Sequence, residues 1–181
     1  EITKLEDNID TNTDLLGNIT INPNDIPKDL ILTYNVSFAA DATAYSGTTV
    51  NLNSNGDISK VVQALVLQPS AITASLLNAK ATPAEGKIAY AAVESNGLLN
   101  YATTGNGYGF WNDSQGNVTA WAKDNDSKLY SEFTPDNLGF TIGQYPGKSK
   151  VGDKYTIKDA LVYTKNGKQY QVTFVFNVTI K

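Results

Sequence analysis

Tyr170-Gln171-Val172-Thr173-Phe174-Val175-Phe176-Asn177-Val178-Thr179-Ile180 decides the fold class. Tyr170, Val172, Phe174, Phe176, Val178 and Ile180 occupy every second position, and polar side chains take most of the places between them. A period of two marks a strand, because successive side chains leave a pleated backbone on opposite faces. So long an unbroken apolar face predicts a strand near the centre of a sheet. Asn166-Gly167, just upstream, suits a tight hairpin turn whose central residues both need positive φ. Tyr155 to Tyr163 is therefore the expected antiparallel partner.

Working back from this strand, Leu30 to Phe38 alternates in the same way, with Leu30, Leu32, Tyr34, Val36 and Phe38 on one face. A loop at Tyr45, Ser46 and Gly47 leads to a short strand at Thr49 to Leu52. The period then changes. Ile58, Val61, Val62, Leu65 and Val66 follow the stripe of an amphipathic helix, which predicts a helix over Asp57 to Leu67 capped by Ser54 or Asp57. Pro69 ends it and suits the first turn of a second helix over Ser70 to Leu77. Strand spacing returns at Lys87 to Val93, an Asn96-Gly97 turn leads into Leu98 to Ala102, and Gly109 to Asn112 pairs with Val118 to Ala122 across Ser114-Gln115-Gly116-Asn117. The helices form one insert and do not alternate with strands, which argues against a parallel α/β layout. The predicted class is mainly β with a short helical insert: an antiparallel β-sandwich or meander with one or two helices packed against it.

A chain of 181 residues suits one core. Residues 30–181 read as a single β-rich domain. Residues 1–29, rich in Asp, Asn and Thr, read as a linker or an N-terminal edge segment, the latter because Leu15, Ile19 and Ile21 alternate. The chain opens on Glu1, so it is expected to be a processed product that has lost an export signal.

The sequence has no Cys, His or Met, and all 14 of its basic residues are Lys. That excludes disulfides, thiolate metal sites and imidazole chemistry. The net charge of −4, with no arginine forks to grip phosphate, argues against nucleic acid as a partner. No apolar run is long enough for a membrane-spanning helix, so a membrane tether would have to be a lipid anchor upstream of these residues.

Aromatic side chains supply the densest candidate site. Gly105-Asn106-Gly107-Tyr108-Gly109-Phe110-Trp111 interleaves rings with glycines, and Trp121 follows on the next predicted strand. Sugars have apolar C–H faces and polar rims, so glycan sites pair flat rings with amide and carboxyl partners. The candidate ligand-binding residues are Trp111, Trp121, Tyr108, Asn112 and Asp113, with Trp111 first and Trp121 its companion. Trp111 and Phe110 fall on opposite strand faces, so at least one of them is expected in the core. The glycine-rich stretch lacks the Lys and the opening helix of a phosphate loop. Asn112 to Asn117 and Asp124 to Ser127 are oxygen-rich, but they lack the spacing and terminal Glu of a Ca²⁺ loop. No metal and no cofactor is expected. Asp113 and Glu132 are the pair a glycoside hydrolase would need; solvated surface charge is the simpler reading, and no catalytic residue is assigned.

Several ordered motifs carry a family resemblance: Gly107-Tyr108-Gly109-Phe110-Trp111, Gly116-Asn117-Val118 with Trp121, Tyr130-Ser131-Glu132-Phe133, Phe140-Thr141-Ile142-Gly143-Gln144-Tyr145-Pro146-Gly147, and Gly152-Asp153-Lys154-Tyr155-Thr156-Ile157. In this order they resemble the domain of unknown function 4859 family, common in secreted and surface lipoproteins of gut Bacteroidetes. The helical block Ile58 to Leu67, followed by Gln68-Pro69-Ser70-Ala71-Ile72, resembles the same family, and the likeness runs from about Leu30 to Lys181. Ile142 to Gly147 is its most specific motif and reads first as a turn. Ala122 departs from the family pattern, which has Gly after the Trp.

The resemblance implies an extracellular or outer-membrane lipoprotein setting in a bacterium, beside carbohydrate-active modules. It implies a non-catalytic accessory domain that binds a glycan. The alternatives are a structural or adhesive domain that contacts another protein, and a glycoside hydrolase.

Overall fold

A computed structural model of the chain describes residues 29–54, 56–77, 81–102, 104, 109–121, 125–134 and 138–181. The linker or edge reading of residues 1–29 lies outside them but for residue 29. In chain order the elements are β1 (Leu30–Phe38), β2 (Gly47–Asn51), α1 (Asp57–Leu65), α2 (Pro69–Ser75), β3 (Ile88–Val93), β4 (Leu99–Asn100), β5 (Gly109–Asn112), β6 (Val118–Thr119), β7 (Leu129–Thr134), β8 (Gly139–Gln144), β9 (Lys154–Lys165) and β10 (Lys168–Ile180). Among the described residues they form two five-stranded sheets, β1-β10-β9-β3-β4 and β2-β8-β7-β5-β6. The sheets face one another across a shared core, as the alternating periods predicted for a sandwich.

The strand that decided the fold class is interior, between β1 and β9. Val172, Phe174, Phe176, Val178 and Ile180 are buried in the core cluster. Asn166 and Gly167 have φ of 53° and 76°, both left-handed, and pair Lys165 with Lys168 in a two-residue hairpin. Between the named strands pairing is antiparallel except that β1 runs parallel to β10 in register from Leu30↔Val172 to Phe38↔Ile180. Alternation predicts a strand but not its direction, so this pairing was not foreseen.

The helical insert closes one side of the core. Val61 and Leu65 of α1 and Ile72 of α2 are buried in it. The expected caps are corrected. The N-cap is Gly56 in a left-handed conformation with no side-chain cap bond. Asp57 is instead the first helical residue, and its carboxylate accepts the Tyr34 hydroxyl at 3.0 Å and pairs with Lys60 at 3.4 Å. That bond pins the helix start to β1. The helix stops two residues early because Val66 turns left-handed, with the Leu67 amide donating to the Val62 carbonyl at 2.8 Å, a Schellman-type ending. The second arms of two hairpins are also shorter than expected: β4 and β6 have two residues each, and Trp121 lies beyond the end of β6.

One buried polar junction joins the sheets. Asp159 of β9 is fully buried, accepting the Tyr90 hydroxyl from β3 at 3.1 Å and the Ser131 hydroxyl from β7 at 3.0 Å.

Candidate functional site

The register of the second sheet sets Gly47, Gly143, Tyr130, Trp111 and Thr119 in one row across all five strands. Their alternation partners Phe140, Ile142, Phe133 and Phe110 point the other way, into the core, so the row belongs to the outer face. Two glycines beside two large rings make a step: a trough of bare backbone with an aromatic wall. Thr49 and Thr141 form part of the next row.

Loops complete the enclosure. Tyr45 packs its ring on Trp111 and Tyr145 with centroids 5.8 and 5.5 Å away, and its hydroxyl accepts the Trp121 indole N–H at 3.2 Å. Tyr145 meets Trp111 at 5.4 Å and Trp121 at 6.5 Å. The result is a cavity of about 820 Å³ whose lining includes Tyr45, Gly47, Trp111, Trp121, Tyr130 and Gly143, a size usual for small-molecule sites. Trp111 is 6% exposed and forms part of the wall; Trp121 and Tyr45, at 56% and 55%, stand at the rim.

The rim is fixed by hydrogen bonds. Gln144 is fully buried; its Nε2 donates to Ser46 Oγ at 2.9 Å and its Oε1 accepts the Asp41 amide at 3.2 Å. Asp41 in turn caps the amides of Thr43 and Ala44 at 2.9 Å each, and these two bonds hold its carboxyl below the usual range. Gly147, at φ 74°, donates to the Asp41 carbonyl at 2.9 Å. The loop that carries Tyr45 is thus bolted to the end of β8. On the opposite wall the Trp111 amide donates to Thr104 Oγ1 at 2.8 Å.

The structure brings Trp111 and Trp121 to one cavity. Trp111 is not an exposed platform, because Tyr45, Tyr130 and Tyr145 pack around it. Tyr108 lies outside the described residues. The expectation that Asn112 and Asp113 join the rings is corrected. Asn112 follows Trp111 on the strand and so faces inward; it is buried, and its amide donates to the Phe110 carbonyl at 3.2 Å. Asp113 caps its own turn, accepting the Gln115 and Asn117 amides at 2.9 Å.

Asp113 and Glu132 do not share a cleft. Glu132 pairs with Gly109 at one end of the β5–β7 ladder, while Asp113 follows Asn112 at the other. The Glu132 carboxylate accepts the Tyr130 hydroxyl. Of the oxygen-rich turns, Asp124 lies outside the described residues. Asp126 accepts the Ser114 hydroxyl at 2.7 Å and its amide at 3.0 Å, and these bonds hold its carboxyl below the usual range. The described carboxylates of these turns, Asp113 and Asp126, are thus engaged in fastening loops.

Residues 44–169 match the family model described as Domain of unknown function (DUF4859). The chain belongs to that family. No curated protein is significantly similar to it. In this DUF4859 domain the matched residues include every lining side chain named above, while Asp41, β1 and nearly all of β10 lie outside the match, the two strands completing the first sheet.

Sequence reasoning missed Tyr45, Tyr130, Gly143, Gln144 and Tyr145. Three of them fall in Ile142 to Gly147, read first as a turn. Pro146 and Gly147 do turn the chain, but the residues before them supply trough, bolt and ring. Tyr130 was findable only once its register with Trp111 was known.

Proposed function

We propose that this domain is a non-catalytic carbohydrate-binding accessory domain, secreted or held at a bacterial cell surface, and that the aromatic cavity is its glycan site. The observation that carries this reading is the row Gly47, Gly143, Tyr130, Trp111. It offers a ring-sized trough beside flat apolar walls, edged by threonine hydroxyls, the pattern that suits a sugar's C–H face and hydroxyl rim. The rim loop is held in place before any ligand arrives, which lowers the ordering cost of binding. The lining side chains among the described residues are uncharged, which supports binding without hydrolysis, since glycoside cleavage uses two carboxyl groups across the scissile bond.

The test is affinity electrophoresis of the purified domain through gels cast with plant, fungal and bacterial polysaccharides, followed by a glycan array. Retention by at least one polysaccharide, competed by its oligosaccharides, is the expected result. Unimpeded migration through every gel, with an empty array, would overturn it.

A further inference from the structure

Four glycines of the outer face separate into two kinds. A Cβ at Gly47 would lie 2.0 Å from the Ile142 carbonyl oxygen, one at Gly139 2.4 Å from that of Val50, and one at Gly109 1.9 Å from the Tyr130 hydroxyl. At Gly47 and Gly139 the close approach of backbone demands glycine, and at Gly109 an added side chain would displace the Tyr130 ring. Gly143 differs. Its added Cβ would have the Ser46 carbonyl oxygen as nearest neighbour at 3.5 Å, an ordinary contact, and its φ is outside the left-handed region. The backbone gives no reason for glycine there, in a strand where glycine is unfavourable. The cavity gives one, because a side chain at 143 would project from the trough floor between Gly47 and Tyr130.

The charge around the cavity is as selective as its shape. Among the described residues no lining side chain is charged, and the nearby Glu132 carboxylate sits on the Tyr130 hydroxyl. Lys128 Nζ donates to the Lys148 carbonyl at 3.0 Å and pairs with Asp126 at 3.6 Å. Lys148 Nζ donates to the Asn125 carbonyl and lies 4.7 Å from the Tyr145 ring centroid. An anionic sugar in the trough would give up water without meeting a cation among the described lining residues.

Building on the carbohydrate-binding reading, we propose that Gly143 is the specificity-determining position of the cavity, and that its missing side chain admits an uncharged sugar ring onto the strand backbone beside Tyr130 and Trp111. The ligand class is a neutral glycan, free of uronate, sulfate and sialate groups.

The experiment compares the wild-type domain with Gly143→Ala and Gly143→Val. Retention is measured in gels of neutral polysaccharides (xylan, β-glucan, mannan, arabinan) and acidic ones (polygalacturonate, chondroitin sulfate). Expected are retention of the wild type by a neutral gel only, a weaker hold by Gly143→Ala, and a loss of about ten-fold or more for Gly143→Val, with circular dichroism and denaturant midpoint unchanged in both variants. Full-strength binding by Gly143→Val, or a wild type held best by an acidic gel, overturns the proposal while leaving carbohydrate binding in place. Unfolding of Gly143→Ala overturns it too, since the glycine would then serve the backbone. A wild type held by no polysaccharide removes both readings together.

Discussion

The second sheet has an aromatic cluster on each face. On the inner face Phe110, Phe133 and Phe140 meet Tyr90, Phe174 and Phe176 of the first sheet, with centroid distances such as 4.6 Å for Phe140–Phe174 and 5.1 Å for Tyr90–Phe110. On the outer face Trp111 and Tyr130 meet Tyr45, Tyr145 and Trp121. The inner rings are nearly all Phe, fully buried, and pack on rings from the facing sheet. The outer rings are all Trp or Tyr, each with a polar tip, and they meet loops that leave about 820 Å³ beside them. The same side-chain class thus does two jobs according to what stands opposite: a second sheet makes a core, and a glycine trough makes a cavity.

Substitutions on the two faces therefore separate stability from binding. Phe174→Ala, on the inner side, is expected to lower stability by roughly 3–5 kcal/mol, the range for buried aromatic truncation. Denaturant unfolding reads this directly, and an unchanged midpoint would erase the distinction between the clusters.

The inner side also contains the Asp159 junction, and its effect is a matter of pH. Burial pushes the Asp159 carboxyl up from 3.8 to about 7, outweighing the hydrogen bonds from Ser131 and Tyr90 that act to lower it. The folded domain keeps a proton there that the unfolded chain releases above about pH 4. This contribution is therefore fully present at the acid end, declines as pH rises from about 4 to about 7, and is flat above; it amounts to at most on the order of 4 kcal/mol. Asp41, Glu85, Asp126 and Asp153 have lowered values and act in the opposite sense, with stability lost as pH falls below about 4. Urea midpoints between pH 4 and 8 should show the decline, and Asp159→Asn should flatten it. An equal slope in the variant would place the titration elsewhere.

On the outer face, Gly109→Ala forces the Tyr130 ring off the strand it covers, and about 1–3 kcal/mol of destabilisation is expected from overpacking. Thermal melting checks it, and a neutral result would mean that the ring swings away freely. The smallest effect on stability belongs to Trp121→Ala, within about 0.5 kcal/mol for so exposed a side chain. It should nonetheless abolish polysaccharide retention, because it removes a rim ring and the indole donor to Tyr45. Binding that survives it would shift the site away from the rim.

The fold and the cavity were each only half legible in the sequence. Alternation in Tyr170 to Ile180 and the Asn166-Gly167 turn were enough to predict an interior strand and its hairpin, since both are local. The same local reasoning put Trp111 opposite Phe110 and paired Trp121 with Trp111. It failed for Asn112, which follows Trp111 in the strand and so takes the buried face. It gave no access to Tyr45 or Gly143, whose roles come from register between strands far apart in the chain. Asp57 misled as a cap because its carboxylate is taken by Tyr34, a partner 23 residues upstream.

The parallel pairing of β1 with β10 bears on how the domain is made. Asn35 and Asn177, opposite each other in that ladder, are 142 residues apart. At a synthesis rate of about 5–20 residues per second, β1 waits on the order of ten seconds or more for its partner strand. Until then its ladder amides and carbonyls and the side chains of Leu32 and Phe38 lack their native neighbours, an invitation to pair with other chains. Closing so long a loop also places this step among the slow, non-local ones. The earliest made of the described strands thus waits for the latest made, and crowded expression should be limited by aggregation of chains caught before β10 has docked.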